Sequence, residues 1–267
     1  MGTQSPSYLR SREDKLSPEE LERYDRQLRL LGFGVESQLK LKRSRVLVVG
    51  VGGLGSAATL YLASAGVGLL KIVDDGYVEL SNLNRQILYN TGDLGRRKVD
   101  VAAERLKELN PEVEVKVVRE KLTEENVKEM LSEADLAVDC LDNFRTRFIL
   151  NDACVELGKP LIHGAIYGAE GRLMTIIPGK GPCLRCLIPR EPTEHDKIPV
   201  LGPLPGIVGA LEALEAIKVL TGLSEPTVGK LIVIDGMDLS FYAIETRRNP
   251  SCPTCGKNKN WGGIKRA

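Results

Sequence analysis

The architecture of this chain follows from Arg45-Val46-Leu47-Val48-Val49-Gly50-Val51-Gly52-Gly53-Leu54-Gly55 and the alanine-rich apolar run that continues to Gly66. The first five residues are mostly valine and leucine, which predicts a buried parallel strand, and the alanine-rich run has the composition and length of a helix. Between them, Gly50, Gly52 and Gly55 form G-x-G-x-x-G, in which the missing Cβ atoms permit a tight turn and close approach to a phosphate. The following helix would point its free N–H groups at that anion. The motif therefore predicts a nucleotide-binding turn, with a glycine-rich turn that binds nothing as the alternative.

The composition is that of an ordinary globular protein, with 267 residues, 42% hydrophobic and 27% charged. This length allows one large α/β domain or two small ones. The formal net charge of +1 gives no reason to expect a nucleic acid or an anionic membrane as partner. The sequence also lacks an apolar signal segment and any apolar run of transmembrane length. We therefore expect a cytoplasmic protein with no nucleic acid and no membrane partner.

Four of the six cysteines form two C-x-x-C pairs, Cys183 with Cys186 and Cys252 with Cys255. Disulfides are not expected in a chain without an export signal, and this double spacing is typical of a tetrahedral Cys₄ zinc site. The alternative is a redox pair, which would not need a second C-x-x-C. The other two cysteines, Cys140 and Cys154, are expected to pack in the core.

Acidic residues follow two further predicted strands. Asp74 ends the strand at residues 69–73, roughly twenty residues past the glycines, where an acid can bind a ribose hydroxyl pair. A strand at residues 134–138 ends in Asp139, and Asp142 follows close behind. The carboxyl ends of parallel strands are where open α/β sheets bind ligands. Asp142 is thus either a magnesium ligand or the N-cap of a helix at residues 143–157, and spacing alone does not separate these roles.

Basic side chains surround the same region. Residues 78–86 form a polar loop that contains Arg85, and Arg96-Arg97-Lys98 precede a helical pattern at residues 99–109. A nicotinamide hydride transfer does not need this positive charge, whereas a triphosphate that loses pyrophosphate does. A solvated helix start is the alternative for residues 96–98, but cations at a helix N-terminus oppose its dipole.

The N-terminal pattern predicts an arm and then a helix. Ser17 and Glu20 form a capping box, and the helix is predicted to run to Gly32. Its Arg23 and Arg26 are three residues apart and roughly on one face, which by itself favours a solvated charged surface. Downstream, we predict strands at residues 113–118, 160–165 and 171–177, helices at 123–131 and 207–220, a crossing loop at 189–206 and a hairpin at 231–244.

The motifs together resemble those of one enzyme family. In chain order they are R-Y-x-R-Q at residue 23, G-x-G-G-L-G at 50, V-E-x-S-N-L-x-R-Q at 78, the lysine at 98, D-C-x-D-N at 139 and the two C-x-x-C pairs. This set resembles the MoeB/ThiF family, the adenylation enzymes of ubiquitin-like sulfur carriers. The resemblance implies an α/β, Rossmann-like ATP-binding fold whose parallel sheet is extended by antiparallel C-terminal strands, with a Cys₄ zinc site. It also implies an N-terminal arm at residues 1–16, one adenylation domain at 17–257 and a tail at 258–267.

The family resemblance implies a reaction and the residues that perform it. A carrier protein's C-terminal Gly-Gly carboxylate would attack the α-phosphate of Mg²⁺-bound ATP, giving an acyl-adenylate and pyrophosphate. Asp74 would hold the ribose and Asp142 the magnesium, while Arg26 would reach the neighbouring subunit's site in a homodimer, which replaces its reading as a solvated residue. The remaining nucleotide-binding and phosphate-contacting residues would be Gly50, Gly52, Gly53, Gly55, Asn82, Arg85, Gln86 and Lys98.

The sequence departs from the family pattern in two places. Gly76 stands where family members often carry a second acid, so the ribose role falls to Asp74 alone. The loop from residue 190 to 206 contains no cysteine, where thioester-forming relatives carry one. We therefore expect an enzyme that makes the adenylate and leaves sulfur delivery to another protein. The alternatives are a catalytically silent family scaffold and, from the glycines and Asp74 alone, a NAD-dependent oxidoreductase.

Overall fold

Eight β-strands form one mixed sheet in the part of the chain that the computed structural model describes, residues 15–192 and 199–256. They are β1 (Arg45–Val49), β2 (Leu69–Val73), β3 (Glu114–Val118), β4 (Leu136–Asp139), β5 (Leu161–Tyr167), β6 (Glu170–Ile176), β7 (Lys230–Asp235) and β8 (Ser240–Glu245). Their spatial order is β3-β2-β1-β4-β5-β6-β7-β8. The first five are parallel to one another, and the last three continue the sheet in antiparallel register. This confirms the predicted architecture.

Helices cover both faces of the parallel part. They are α1 (Pro18–Arg23), α2 (Asp25–Leu28), α3 (Gly34–Arg43), α4 (Gly53–Ser64), α5 (Lys98–Leu109), α6 (Val127–Ser132), α7 (Phe144–Leu157), α8 (Leu184–Leu187) and α9 (Pro203–Thr221). Successive side chains of a strand point to opposite faces. Accordingly, Val46 and Val48 of β1 belong to a core shared with α4, α5 and α9, while Leu47 and Val49 belong to a second core under α6 and α7. Burial on both faces explains why β1 is apolar at every position from Val46 to Val49.

The predicted N-terminal helix is interrupted, so its extension to Gly32 is wrong. The capping box is confirmed: Glu20 N donates to Ser17 Oγ (3.1 Å), and Ser17 N donates to the Glu20 carboxylate (2.7 Å). The helix nevertheless ends at Arg23, because Tyr24 leaves helical geometry with φ −98° and ψ 9°. Tyr24 is buried, and its hydroxyl accepts a hydrogen bond from the Asn110 side chain at 2.9 Å. Tertiary packing therefore overrides the local helical pattern.

The long helix α9 begins earlier than predicted, at Pro203 instead of residue 207. Proline is favoured in the first turn of a helix, where its missing N–H would have no intrahelical partner. Pro203, read from the sequence as part of the crossing loop, therefore starts the helix. Residues 193–198 of that loop lie outside the described residues, as do residues 1–14 of the predicted arm and the predicted tail at 258–267. Of the arm, Lys15 and Leu16 are described, and the carbonyl of Lys15 accepts a hydrogen bond from Lys42 (3.1 Å).

Candidate functional site

The predicted nucleotide-binding residues follow the carboxyl ends of three adjacent strands. The glycine-rich turn follows β1, Asp74 follows β2, and Asp142 lies beyond β4, and these strands are neighbours in the order β2-β1-β4. The chain runs from β1 through β2 to β3 on one side of β1 and then returns to β4 on the other side, so the strand order reverses at β1. Open α/β sheets form a ligand-binding crevice at such a position. The fold thus brings residues from three separate predicted motifs to one edge.

Backbone packing accounts for two of the glycines in the turn. Gly50 has φ +90°, and a Cβ there would lie 2.6 Å from the carbonyl oxygen of Cys140. A Cβ on Gly55 would lie 2.0 Å from the carbonyl oxygen of Gly50. Gly52 is different: it is the N-cap of α4 and provides no side-chain cap to the first N–H groups of that helix. The helix N-terminus therefore keeps donors that an anion can accept from.

Asp74 is held against this turn by two hydrogen bonds. Its Oδ2 accepts from Val51 N (2.9 Å) and its Oδ1 from Gly76 N (2.8 Å). A Cβ on Gly76 would lie 2.9 Å from Asp74 Oδ1 and 3.4 Å from Lys98 Nζ. The ammonium group of Lys98, the first residue of α5, is thus close to the same loop.

The polar loop after β2 covers the helix N-terminus. Asn82 is buried, and its Oδ1 accepts from Glu79 N (3.1 Å), which fixes the side-chain amide. Arg85 places its Cγ 3.5 Å from the Cβ position of Gly53, and its guanidinium donates to the carbonyl of Ser81 (2.9 Å). Gly53 itself packs against α9, since its Cβ position lies 2.9 Å from Pro205.

Gln86 presents a buried polar atom to the same turn. The side chain is 4% exposed, and its Nε2 lies 3.6 Å from the Cβ position of Gly52. Its Oε1 has no hydrogen-bond partner among the described residues. Burying an acceptor without a partner costs free energy, so this atom indicates a place for a ligand.

Asp142 is exposed at the mouth of the site, and its Oδ1 lies 3.3 Å from Asn143 Nδ2. The alternative role of Asp142 as N-cap of the following helix is wrong. The N-cap of α7 is Asn143, whose Oδ1 accepts from Thr146 N at 2.9 Å. The carboxylate of Asp142 is therefore not used by the helix.

Arg26 does not join this site within one chain. It is exposed on α2, and the neighbouring Gln27 donates to the carbonyl of Ala65 (2.9 Å), the C-cap of α4. The 12 residues of α4 span about 18 Å. The segment with Arg26 thus packs at the end of α4 opposite to the glycine-rich turn.

Four buried polar residues lie beneath the site, and none of them was predicted as a site residue. Asp139, Arg147, His163 and Glu212 are each at most 5% exposed. His163 Nδ1 lies 2.6 Å from Asp139 Oδ2. Although burial opposes ionisation, Arg147 and then His163 hold the pKa of Asp139 below its usual range, while burial lowers the pKa of His163. The sequence did contain one signal for them: each is a charged or titratable residue within a stretch that is otherwise apolar and predicted to be buried.

The four cysteines of the C-x-x-C pairs meet in one cluster. Their Sγ atoms lie within 4.8 Å of one another, with Cys183 and Cys252 at 3.6 Å and Cys186 and Cys255 at 3.2 Å. A tetrahedral zinc with Zn–S bonds of about 2.3 Å separates its sulfurs by about 3.8 Å. The cluster therefore has the donor set and the size of a structural metal site. Cys140 and Cys154 are separately buried, as predicted.

Two other features bear on function. An open depression of about 550 Å³ lies beside α5 and β3, lined by Arg96, Arg97, Arg119, Asp100 and Glu104 among others. Two of its three arginines are in ion pairs, Arg96 with Glu104 (2.6 Å) and Arg119 with Asp100 (2.7 Å), and it contains none of the residues predicted to bind the nucleotide. Within the described ranges, no helix combines the length and apolar character that crossing a membrane requires.

The fold and the glycine-rich turn define a Rossmann-like nucleotide-binding protein. More specifically, the chain belongs to the ThiF family, whose model matches residues 24–254. This confirms the family predicted from the motifs.

Similar proteins include the sulfur carrier protein adenylyltransferase of Thermus thermophilus, 47% identical over 89% of this chain and 92% of that protein. The SAMP-activating enzyme E1 of Haloferax volcanii is 45% identical over 93% of this chain and 92% of its own length. Among solved structures, Escherichia coli MccB with AMPCPP and MccA matches with a TM-score of 0.81 and 25% identity, over 92% of this chain and 76% of that chain.

Proposed function

We propose that this protein is an adenylyltransferase that activates the C-terminal Gly-Gly carboxylate of a small ubiquitin-like sulfur-carrier protein with ATP and releases pyrophosphate. The observation that carries the proposal is the convergence at one sheet edge of an uncapped helix N-terminus, the Asp74 carboxylate and the Lys98 ammonium. The names of two relatives, a sulfur carrier protein adenylyltransferase and an activating enzyme E1, support the same activity.

The chemistry requires positioning and positive charge more than proton transfer. A carboxylate is already ionised near pH 7, so it attacks the α-phosphate without a general base. Asp74 orients the ribose, and Gly50, Gly52, Gly53 and Gly55 let the backbone approach the phosphates. Asn82, Arg85, Gln86 and Lys98 bind the phosphates and stabilise the charge that develops on pyrophosphate.

Magnesium fits beside this triphosphate. Hard cations prefer oxygen ligands, and the exposed Asp142 carboxylate lies next to the Cys140 backbone that packs on Gly50. Asp142 would hold Mg²⁺, which neutralises phosphate charge when bound. Asp142 and Lys98, with Arg85, are the residues that we propose to act on the reacting phosphates.

Zinc fits the cysteine cluster. Besides the sulfur spacing, Asn249 N lies 3.4 Å from Cys186 Sγ and Cys255 N lies 3.5 Å from Cys252 Sγ, contacts that stabilise bound thiolates. We assign the cluster a structural role, because all four positions are cysteine and leave no open coordination site.

A homodimer would explain Arg26. Since the residue lies far from its own chain's glycine-rich turn, it can contribute to phosphate binding only in a neighbouring subunit.

We also propose that residues 17–257 form one adenylation domain, with an arm at 1–16 and a tail at 258–267, and that the protein acts in the cytoplasm, where ATP is available. The pathway of the carrier, whether molybdopterin, thiamine or tRNA thiolation, depends on the carrier's identity.

Exchange of label between ATP and pyrophosphate tests the proposal. Purified protein should catalyse exchange only in the presence of a carrier that ends in Gly-Gly. The Lys98→Ala variant should lose about 100-fold or more, because it removes one charge from the developing pyrophosphate. Lys107→Ala, an exposed substitution on the same helix, is the matched control and should retain activity.

Two outcomes would favour the alternatives. Absence of exchange with every such carrier would indicate a silent family scaffold. Binding of NAD in preference to ATP would indicate an oxidoreductase, which has no use for the phosphate-facing arginine and lysine.

A further inference from the structure

Arg147 is a buried cation in the first turn of α7, 5% exposed. Its Nη1 donates to the carbonyl of Gly164 at 2.8 Å, and its Nη2 donates to the carbonyl of Leu141. The two bonds come from one planar group with a fixed spread, which a lysine could not reproduce.

Asp139 completes the hold on Leu141 from the other side. This fully buried carboxylate accepts from Leu141 N at 3.2 Å and from the His163 ring at 2.6 Å. Both backbone polar groups of Leu141 are thus bound, the N–H by Asp139 and the carbonyl by Arg147.

The residues on both sides of Asp142 are consequently fixed. Leu141 is held by the buried pair, and Asn143 is held as the N-cap of α7. Asp142 itself remains exposed between them, beside the turn that Gly50 makes against Cys140. A carboxylate that coordinates a metal has to be held in position, and supporting hydrogen bonds commonly provide this.

We propose that Arg147 and Asp139 are positioning residues that fix the Asp142 carboxylate for the metal-bound nucleotide by holding the backbone of Leu141. The inference rests on the proposed function, since it takes Asp142 as the residue that holds magnesium. Burying the charged groups of Arg147 and Asp139 costs desolvation free energy, and well-packed apolar residues in their place often give a protein of equal stability. Stability alone therefore does not explain why this pair is buried.

The test compares wild type, Arg147→Lys, Asp142→Asn and the double variant. Arg147→Lys keeps the charge that Asp139 needs, so the fold should survive, but it loses the two-pronged hold. The measurement is the gain in ATP affinity on adding magnesium, by calorimetric titration with and without EDTA. Hydrogen exchange of the peptide that covers residues 140–143 is followed in parallel.

We expect Arg147→Lys to reduce the magnesium-dependent gain by about tenfold and to speed exchange at residues 140–143. The double variant should lose no more of the magnesium-dependent gain in ATP affinity than Asp142→Asn alone, because both changes remove the same contribution of the Asp142 carboxylate. Asp139→Asn should act in the same direction and serves if Arg147→Lys does not fold. Glu215→Gln, a buried substitution that removes the ion pair with Lys218, should lower the thermal midpoint and leave the gain unchanged.

The outcomes separate this inference from the proposed function. If Arg147→Lys and Asp139→Asn gain as much ATP affinity from magnesium as the wild type does, the positioning role alone is overturned. The same holds if the double variant loses the sum of the two single-variant losses in that gain. An unchanged gain in Asp142→Asn would remove the magnesium role and the inference with it. A normal set of gains without carrier-dependent pyrophosphate exchange would overturn only the adenylation activity.

Discussion

Glu212 of α9 buries its whole carboxyl group, with Cys140 Sγ at 3.5 Å from Oε2. Its Oε1 has no hydrogen-bond partner in the described part of the chain. Burial, and then the negative charge of Asp139, raises the pKa of Glu212 well above its ordinary value of 4.5. The folded protein therefore favours the neutral acid, and a negative charge here would face Asp139 at low dielectric.

This residue makes stability depend on pH. Above pH 4.5 the unfolded chain releases the Glu212 proton while the folded chain keeps it, so the folded state binds more protons and the free energy of unfolding falls as pH rises. Glu212→Gln keeps the size and the neutral state. We expect the wild type to lose up to about 1.4 kcal/mol per pH unit relative to Glu212→Gln, from about pH 5 upward.

Urea unfolding of the two proteins at several pH values from acid to neutral measures this difference. Parallel pH curves for wild type and Glu212→Gln would show that the carboxyl group ionises normally in the folded protein. The Gly164 N–H faces the same carboxyl group and favours its charged form, but burial outweighs it.

The sequence predicted single residues well where one local motif fixes them. Gly50 and Gly55 were expected from G-x-G-x-x-G, and close backbone contacts explain both. Arg147 and His163 could not be assigned, since their partners lie on other elements: His163 contacts Asp139, and Arg147 donates to the carbonyls of Leu141 and Gly164. A titratable residue within an apolar, buried stretch indicates that some other group in the fold binds it, but the sequence does not identify that group.

At the scale of elements, α7 connects the cysteine cluster to the nucleotide site. Its N-terminus follows Asp142, and further along it Asn151 Oδ1 accepts from Leu184 N (2.9 Å) beside Cys183. Asp152 binds Arg185 of one C-x-x-C segment (2.8 Å) and Thr254 of the other (2.6 Å). If the cluster holds the proposed zinc, its loss should therefore loosen α7 as well as the two segments.

Removal of one cysteine ligand tests this connection. Cys252→Ser should reduce bound zinc from about one ion per chain to well below that, measured by metal analysis. If Cys252→Ser lowers the free energy of unfolding by about 2 kcal/mol, its thermal midpoint should fall by about 4–8 °C in a chain of this size. Cys154→Ala, in α7 but outside the cluster, should keep its zinc. Equal zinc content in the wild type and Cys252→Ser would contradict the assignment.

Element boundaries show where local patterns are decisive. β2 has the predicted bounds, because an apolar run between polar turns leaves little choice. The predicted first helix was too long because Tyr24 binds Asn110, 86 positions away in sequence. The start of α9 was missed for a different reason: proline breaks helix interiors but fits their first turn, and composition alone does not distinguish the two.

At the scale of the whole molecule, the position of Arg26 predicts that two subunits share each site. A dimer that mixes Arg26→Ala and Lys98→Ala chains has one fully equipped site, formed by Lys98 of the first chain and the arginine of the second. Random mixing places half of the chains in such dimers, so about a quarter of wild-type exchange activity should return.

The measurement is carrier-dependent pyrophosphate exchange after the two inactive variants are mixed, partly unfolded and refolded together. Each variant treated alone is the control. If Arg26 acts within its own chain, or not at all at the phosphates, activity after mixing will stay at the level of the separate variants.

The set of motifs along the chain identified the family, and the resemblance to that family implied the antiparallel extension of the parallel sheet. The sequence by itself determined the α/β class, the glycine-rich turn and the two C-x-x-C pairs. Each depends on periodicity or on residues close together in the chain, where local sterics and hydrogen bonding dominate. Only the tertiary structure decided that Asn143 and not Asp142 caps α7, that Gly76 N donates to the Asp74 carboxylate, and that Asp139, Arg147 and His163 form one buried group. These contacts join strands and helices far apart in sequence, and their free energy comes from burial and pairing that exist only once the sheet has assembled.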